Sequence, residues 1–246
     1  MPIKSMPVWK WSLLLLASLL LSFIMYGAGQ TVSYVVAPQA IGIVVPILFS
    51  GAMIALYACF VRWFEKSPAK DIPRDRIVPD IMKGMGLGFG YFCALILIMS
   101  AIGLYKVVSI GTDQPLAIAT ELSMFLMVGV GEEIIFRGIL FRWIDEKWGF
   151  LTALLVSSAL FGLAHVFQPG ATWWSILAIA IEAGLLLGSA YKYARTLWLP
   201  IGIHWGWNFT QGNIFGFAVS GGDVGVSLIQ STVNGPDSLQ SMARRS

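Results

Sequence analysis

The chain reads as long apolar blocks separated by short polar breaks. Seven blocks approach or exceed the roughly 20 residues a helix needs to cross the bilayer. They run Trp9–Gly29, Gln39–Phe64, Lys83–Tyr105, Leu116–Ile144, Phe150–Phe167, Trp173–Tyr193 and Leu197–Ser220. The fourth and seventh carry polar residues and score lower on hydropathy. The first resembles a signal peptide, because KSMPVWK precedes LLLLASLLLSF; with six further spans behind it, an uncleaved helix is the expectation.

Basic residues mark alternate breaks. Lys4 and Lys10 precede span one. Arg62, Lys66, Lys70, Arg74, Arg76 and Lys83 follow span two, Arg142 and Lys147 follow span four, and Lys192 and Arg195 follow span six. The intervening breaks hold almost none, Lys106 being the exception. This phase predicts a cytoplasmic N-terminus and supports the span count. EKSPAKDIPRDRIVPD, the one substantial polar insert, is expected to be a solvated connector. Trp9, Trp11, Trp143, Trp148, Trp173, Trp174 and Trp198 fall near span ends and predict an interfacial belt.

Composition agrees with this pattern. Of 246 residues, 57% are hydrophobic and 12% charged, against about 25% charged in soluble domains. Mean hydropathy is +0.76. The net charge of +3 is small, and no basic patch interleaved with aromatics suggests nucleic acid. Cys59 and Cys93 lie in apolar runs without metal-site spacing and are expected as free thiols. The predicted fold is all-α, a polytopic membrane helical bundle of about seven transmembrane helices. A single membrane domain covers residues 1–220, and a polar tail rich in Gly, Ser, Asn and Gln covers 221–246. Small-residue pairs at four-residue spacing, Gly84/Gly88, Gly86/Gly90, Gly184/Gly188 and Gly202/Gly206, predict close helix approach.

Ionisable residues at membrane depth are expensive, about 2.5–3.5 kcal/mol each on insertion scales. Residues 129–143, GVGEEIIFRGILFRW, place three of them in one run. Glu133 and Arg137 are four apart and can pair along a helix. Glu132 points about 100 degrees away and is left without full neutralisation, a candidate general base. A structural ion cluster between helices explains the stretch equally well. The chain's two histidines add weight to chemistry. His165 follows Phe161 by one turn, and His204 precedes Asn208 by one turn. Hydrolysis needs a base for water and donors for the oxyanion; Glu132 with His165 suits the first, and His204 with Asn208 the second. Alternatively, Glu132, His165 and His204 bind a divalent metal such as zinc, converging from separate helices without a local zinc-protease motif. The expected cofactor is thus either none or such a metal. Glu182 is expected to make a polar contact inside the bundle, and Glu121 to be interfacial.

These motifs, Glu132-Glu133-Ile-Ile-Phe-Arg137, Phe161-Gly-Leu-Ala-His165 and His204-Trp-Gly-Trp-Asn208, resemble the CAAX protease and bacteriocin-processing family, also called Abi. The resemblance covers about residues 116–220. It implies an all-helical intramembrane endopeptidase of the prenyl-protein-processing type, with Glu132 as the first motif glutamate and either glutamate-activated water or a metal as the mechanism. It equally implies peptide or bacteriocin processing and self-immunity, as in many bacterial members. Relatives often carry a further apolar helix after the glycine-rich loop, where this sequence has QSMARRS.

The expected partners are a peptide or membrane-protein substrate and the lipid bilayer, in a bacterial plasma membrane. Two other classes of function compete: a non-catalytic scaffold or self-immunity protein, and a transporter or proton relay. The latter usually shows internal repeats and broken helices in matching positions, and the sequence shows neither.

Overall fold

The computed structural model describes residues 6–36, 40–222 and 224–234. Lys4, Gln39, Asp223 and the tail from 235 onward lie outside the described residues. Among the described residues the helices run as seven rods. They are α1 (Val8–Val36), α2 (Val44–Phe64) and α3 (Ile77–Ala101); α4 (Pro115–Glu133), continued by a π-helical stretch (Ile134–Phe141) and α5 (Arg142–Trp148); α6 (Phe150–Ala164); α7 (Trp173–Ile179), a second π stretch (Ala180–Gly184) and α8 (Leu185–Ala194); and α9 (Trp198–Phe209) with a third π stretch (Thr210–Ile214). The protein is an all-α membrane bundle. Val8–Ser33, Val44–Phe64, Arg74–Ala101 and Trp173–Ala194 are long and apolar enough to cross a membrane, and Phe150–Ala164 is a shorter apolar helix. The α4–α5 rod is long but carries the charges of the EExxxR stretch.

The rods correspond one to one with the predicted spans, with shifted ends. α3 starts at Ile77, ahead of the expected Lys83. Its first turns are polar, but Asp80 there is buried and accepts from Arg76 Nη2 and Thr196 Oγ1, each at 2.7 Å. Where span three was expected to end, the chain turns into β1 (Tyr105–Ile110), which pairs antiparallel with β2 (Ile229–Val233). Register runs from Tyr105 opposite Val233 to Ile110 opposite Ile229, with an irregularity between Val107 and Ser109. The sheet closes the end of the bundle where α3 finishes and α4 begins. At the same end the Asn213 amide donates to Glu121 Oε2 and to Val226 O, tying the third π stretch to α4 and to the loop before β2.

One glycine seam fixes α9 against α3. A Cβ on Gly84 would lie 2.5 Å from Leu199 O, one on Gly88 2.5 Å from Ile203 O, and one on Gly202 2.5 Å from Ile81 O. Backbones this close gain dispersion contacts along their whole length without a desolvation cost. Gly86 and Gly90 share the four-residue spacing but have nothing within 4 Å of a Cβ, so they lie on the opposite face. Gly184 packs on Ser158, and Gly188 on Leu154 and Phe141.

α1 shows the reverse of a soluble helix. Leu13, Leu16 and Leu20 are 61–63% exposed, whereas Ser18 and Ser33 are buried. Trp11 and Leu15 share the buried face with these serines, while the exposed leucines face outward, as expected where lipid is the solvent.

The polar insert is docked, not free. Asp71 is buried; its Oδ2 accepts from Tyr57 at 2.5 Å and Tyr191 at 3.1 Å, and its carbonyl accepts from Leu197 N at 2.7 Å. Arg142 forks onto both oxygens of Glu65 at 2.6 Å. The tryptophan belt divides. Trp9, Trp148, Trp173 and Trp174 are exposed, while Trp11, Trp143 and Trp198 are buried. Two of the buried indoles find acceptors near this insert: Trp143 donates to Glu65 and Trp198 to Pro73 O.

Candidate active site

The three sequence motifs meet inside the bundle. Glu132 and Glu133 end α4, Arg137 lies in the π stretch after it, His165 follows the last turn of α6, and His204 and Asn208 lie on α9. Glu133, Arg137, His165, His204 and Asn208 are all buried.

Glu133 holds the deepest pair. Its Oε1 accepts from Arg137 Nη1 at 2.7 Å and meets His204 Nδ1 at 2.9 Å. Both Glu133 and Arg137 are wholly buried, so the pair is formed away from water, as the four-residue spacing predicts. Arg137 also donates through Nη2 to Gly184 O at 3.2 Å and Ala183 O at 3.5 Å. These carbonyls lie at the second π stretch, where the wider turn frees backbone groups from the regular ladder. The guanidinium lies 4.5 Å from the Phe161 ring centroid, in range for cation–π attraction. Phe161 also packs edge-on against His165 and His204, at 5.1 and 5.9 Å. The phenylalanine of FxxxH is therefore the hub on which the arginine and both imidazoles rest.

Glu132 faces the other way, as its rotation around the helix predicts. Its Oε2 stands 3.9 Å from His165 Nε2 and 3.8 Å from His204 Nε2. His165 Nδ1 is 2.8 Å from Phe161 O. A carbonyl and a carboxylate only accept, so both imidazoles donate from Nδ1 and turn Nε2 toward Glu132. Asn208 sits one turn beyond His204 on the same helix. Glu132 Oε1 accepts from the Tyr26 hydroxyl of α1 at 3.0 Å, and Tyr26 accepts from Gln30 Nε2 at 2.7 Å. The sequence reading names neither Tyr26 nor Gln30. The available signal was a tyrosine and a glutamine four residues apart in a leucine-rich span, next to a face of small residues.

Other candidates fall outside this cluster. Glu182 is exposed on the second π stretch, not turned into the bundle as expected. Trp205 and Trp207, which flank the His204–Asn208 face in sequence and were expected to line the cavity, pack between helices and donate to Leu122 O and Gln211 Oε1. Cys59 and Cys93 are free thiols.

A tetrahedral zinc with bonds of about 2.0–2.1 Å holds its ligand atoms about 3.4 Å apart. Glu132 Oε2 stands 3.8 and 3.9 Å from the two imidazole nitrogens, wider than that cage. Among the described residues no group of three His, Cys, Asp or Glu side chains is arranged to hold a metal ion. As it stands the arrangement is wider than a zinc cage, and no step of the proposed reaction passes through a metal.

Residues 114–210 match the family described as type II CAAX prenyl endopeptidase Rce1-like. Over this segment, under half of its length, the chain is similar to that family. All three motifs fall within the matched residues, which agrees with the resemblance read from the sequence. A relative, "Putative membrane peptidase YdiL" of Bacillus subtilis (strain 168), is 36% identical over 75 residues, 30% of this chain. The aligned stretch spans 28% of that relative's length. No solved structure matches the chain.

Proposed function

We propose that the protein is an intramembrane endopeptidase that hydrolyses a peptide bond with a water activated by Glu132 and His165. The observation that carries this reading is the approach of Glu132 Oε2 to the two imidazole Nε2 atoms at 3.9 and 3.8 Å. These gaps are too long for direct hydrogen bonds, and in the proposed reaction the attacking water stands against all three atoms. The family match of residues 114–210 supports a membrane peptidase.

Proton accounting sets the roles. Neutral His165 and His204 each present a lone pair at Nε2, and ionised Glu132 presents another. A water supplies two protons to three acceptors. The set is satisfied when His204 is an imidazolium, whose Nδ1–H meets the Glu133 carboxylate at 2.9 Å. The water then donates to Glu132 and His165. As its oxygen attacks the carbonyl carbon, its proton passes to Glu132. The developing oxyanion is met by His204 Nε2–H and the Asn208 amide. When the C–N bond breaks, Glu132 returns the proton to the leaving nitrogen. Arg137 fixes the Glu133 oxygen that His204 Nδ1–H meets.

The substrate belongs to the prenyl-protein or bacteriocin-like peptide class, presented in a bacterial plasma membrane with the protein's N-terminus cytoplasmic. Purified wild type and Glu132→Ala in liposomes, given prenylated and unmodified peptides, test this reading. Wild type is expected to cleave at least one class, and Glu132→Ala to be slower by about 10²–10⁴-fold, the range for loss of a general base. Equal cleavage by the two proteins sinks the proposal.

A further inference from the structure

Glu132 is held by a helix that none of the three motifs includes. Tyr26 of α1 donates to Glu132 Oε1 at 3.0 Å, and Gln30, one turn on, donates to the Tyr26 oxygen at 2.7 Å. The glutamine amide occupies a lone pair of the phenol oxygen and leaves the phenol proton for the carboxylate. Space for the ring comes from Gly131, where a Cβ would lie 2.5 Å from Tyr26 Cδ2. The glycine before the glutamate pair is thus what lets Tyr26 lie against α4. The same face of α1 continues along α4: Gly29 approaches Met127, and Ser33 donates to its sulfur at 3.6 Å.

Resting on the reading of Glu132 as the base, we propose that Tyr26, backed by Gln30, is a positioning residue for that base. The terminal torsion of a glutamate is broad and roughly two-fold, so an unheld carboxylate samples many orientations and exchanges its oxygens. A donor fixed on Oε1 sets the carboxylate plane and makes Oε2 the oxygen that faces His165 and His204. α1 is then part of the site and not only a membrane anchor. Tyr26 acts through Glu132, and Gln30 acts through Tyr26.

The test compares Tyr26→Phe, Gln30→Leu and the double variant with wild type, in liposomes with a peptide that wild type cleaves. Tyr26→Phe keeps the ring against Gly131 and removes only the hydroxyl. Its kcat is expected to fall about 10- to 100-fold, the scale of a misplaced catalytic group, with KM and melting temperature unchanged. Gln30→Leu is expected to lower kcat less and to add nothing in the Tyr26→Phe background. Wild-type kcat in Tyr26→Phe overturns the proposal, as does a rise in KM at constant kcat, and additive effects of the two changes overturn the role of Gln30. Glu132→Gln separates the two levels. If it abolishes cleavage while Tyr26→Phe cleaves as wild type, only the positioning role falls. If it cleaves as wild type, the base assignment falls and the positioning role with it.

Discussion

His204 Nδ1 stands 2.9 Å from Glu133 Oε1, the same oxygen that accepts Arg137 Nη1 at 2.7 Å. One buried carboxylate oxygen therefore anchors a histidine of one helix and an arginine of another. The arrangement concentrates charge where water is excluded, and removing one member leaves the others unbalanced. Breaking a buried pair in this way costs about 3–5 kcal/mol. Glu133→Gln is expected to lose stability on that scale, measured by thermal or denaturant unfolding in detergent. Adding Arg137→Met is expected to recover part of the loss, because the orphaned guanidinium goes with it. Strictly additive losses in the two variants contradict this account.

The contact between α3 and α9 makes a second prediction, because the chain supplies its own control. Gly84 meets the α9 backbone at 2.5 Å from an added Cβ, while Gly86, two residues on, meets nothing within 4 Å. Gly84→Ala is expected to force the helices apart and to destabilise by about 1–3 kcal/mol, the usual cost of overpacking. Gly86→Ala is expected to be neutral or slightly stabilising, since alanine favours the helix by about 1 kcal/mol over glycine. Because α9 carries His204 and Asn208, the Gly84 variant should also lose activity in proportion to the displacement. Equal melting temperatures for the two variants contradict the seam.

Local spacing carried much of the fold and of the cluster. Four of the seven spans follow from hydropathy, and the Glu133–Arg137 pair follows from a four-residue repeat on one helix. The three motifs signalled their own convergence because charged and imidazole side chains at membrane depth need partners. The remainder depends on distant chain segments. Tyr26 reaches Glu132 across 106 residues, and the local signal, a glutamine one turn on, does not say which distant residue the tyrosine meets. β1 pairs with a strand more than a hundred positions away, so its valines read as the end of an apolar span. Trp143 and Trp198 sit near span ends like belt residues, but the docked insert supplies acceptors that draw them inward.

That insert yields the last prediction. Residues 65–80 read as a solvated connector because they are polar and rich in proline and charge, yet Asp71 is buried beneath two tyrosine hydroxyls, at 2.5 and 3.1 Å. Hydrogen bonds to a charged group contribute about 1.5–3 kcal/mol each, enough to hold a short loop against its conformational entropy. Asp71→Ala removes the oxygen that accepts from both hydroxyls and leaves Tyr57 with its second acceptor, Gly138 O at 3.0 Å. The bundle should therefore survive while the loop loosens. Trypsin offered to the face bearing this loop is expected to cut at Lys66, Lys70 or Arg74 faster in Asp71→Ala than in wild type, with little change in melting temperature. An unchanged cleavage rate would show that the loop is held by Arg142 and Glu65 and not by Asp71.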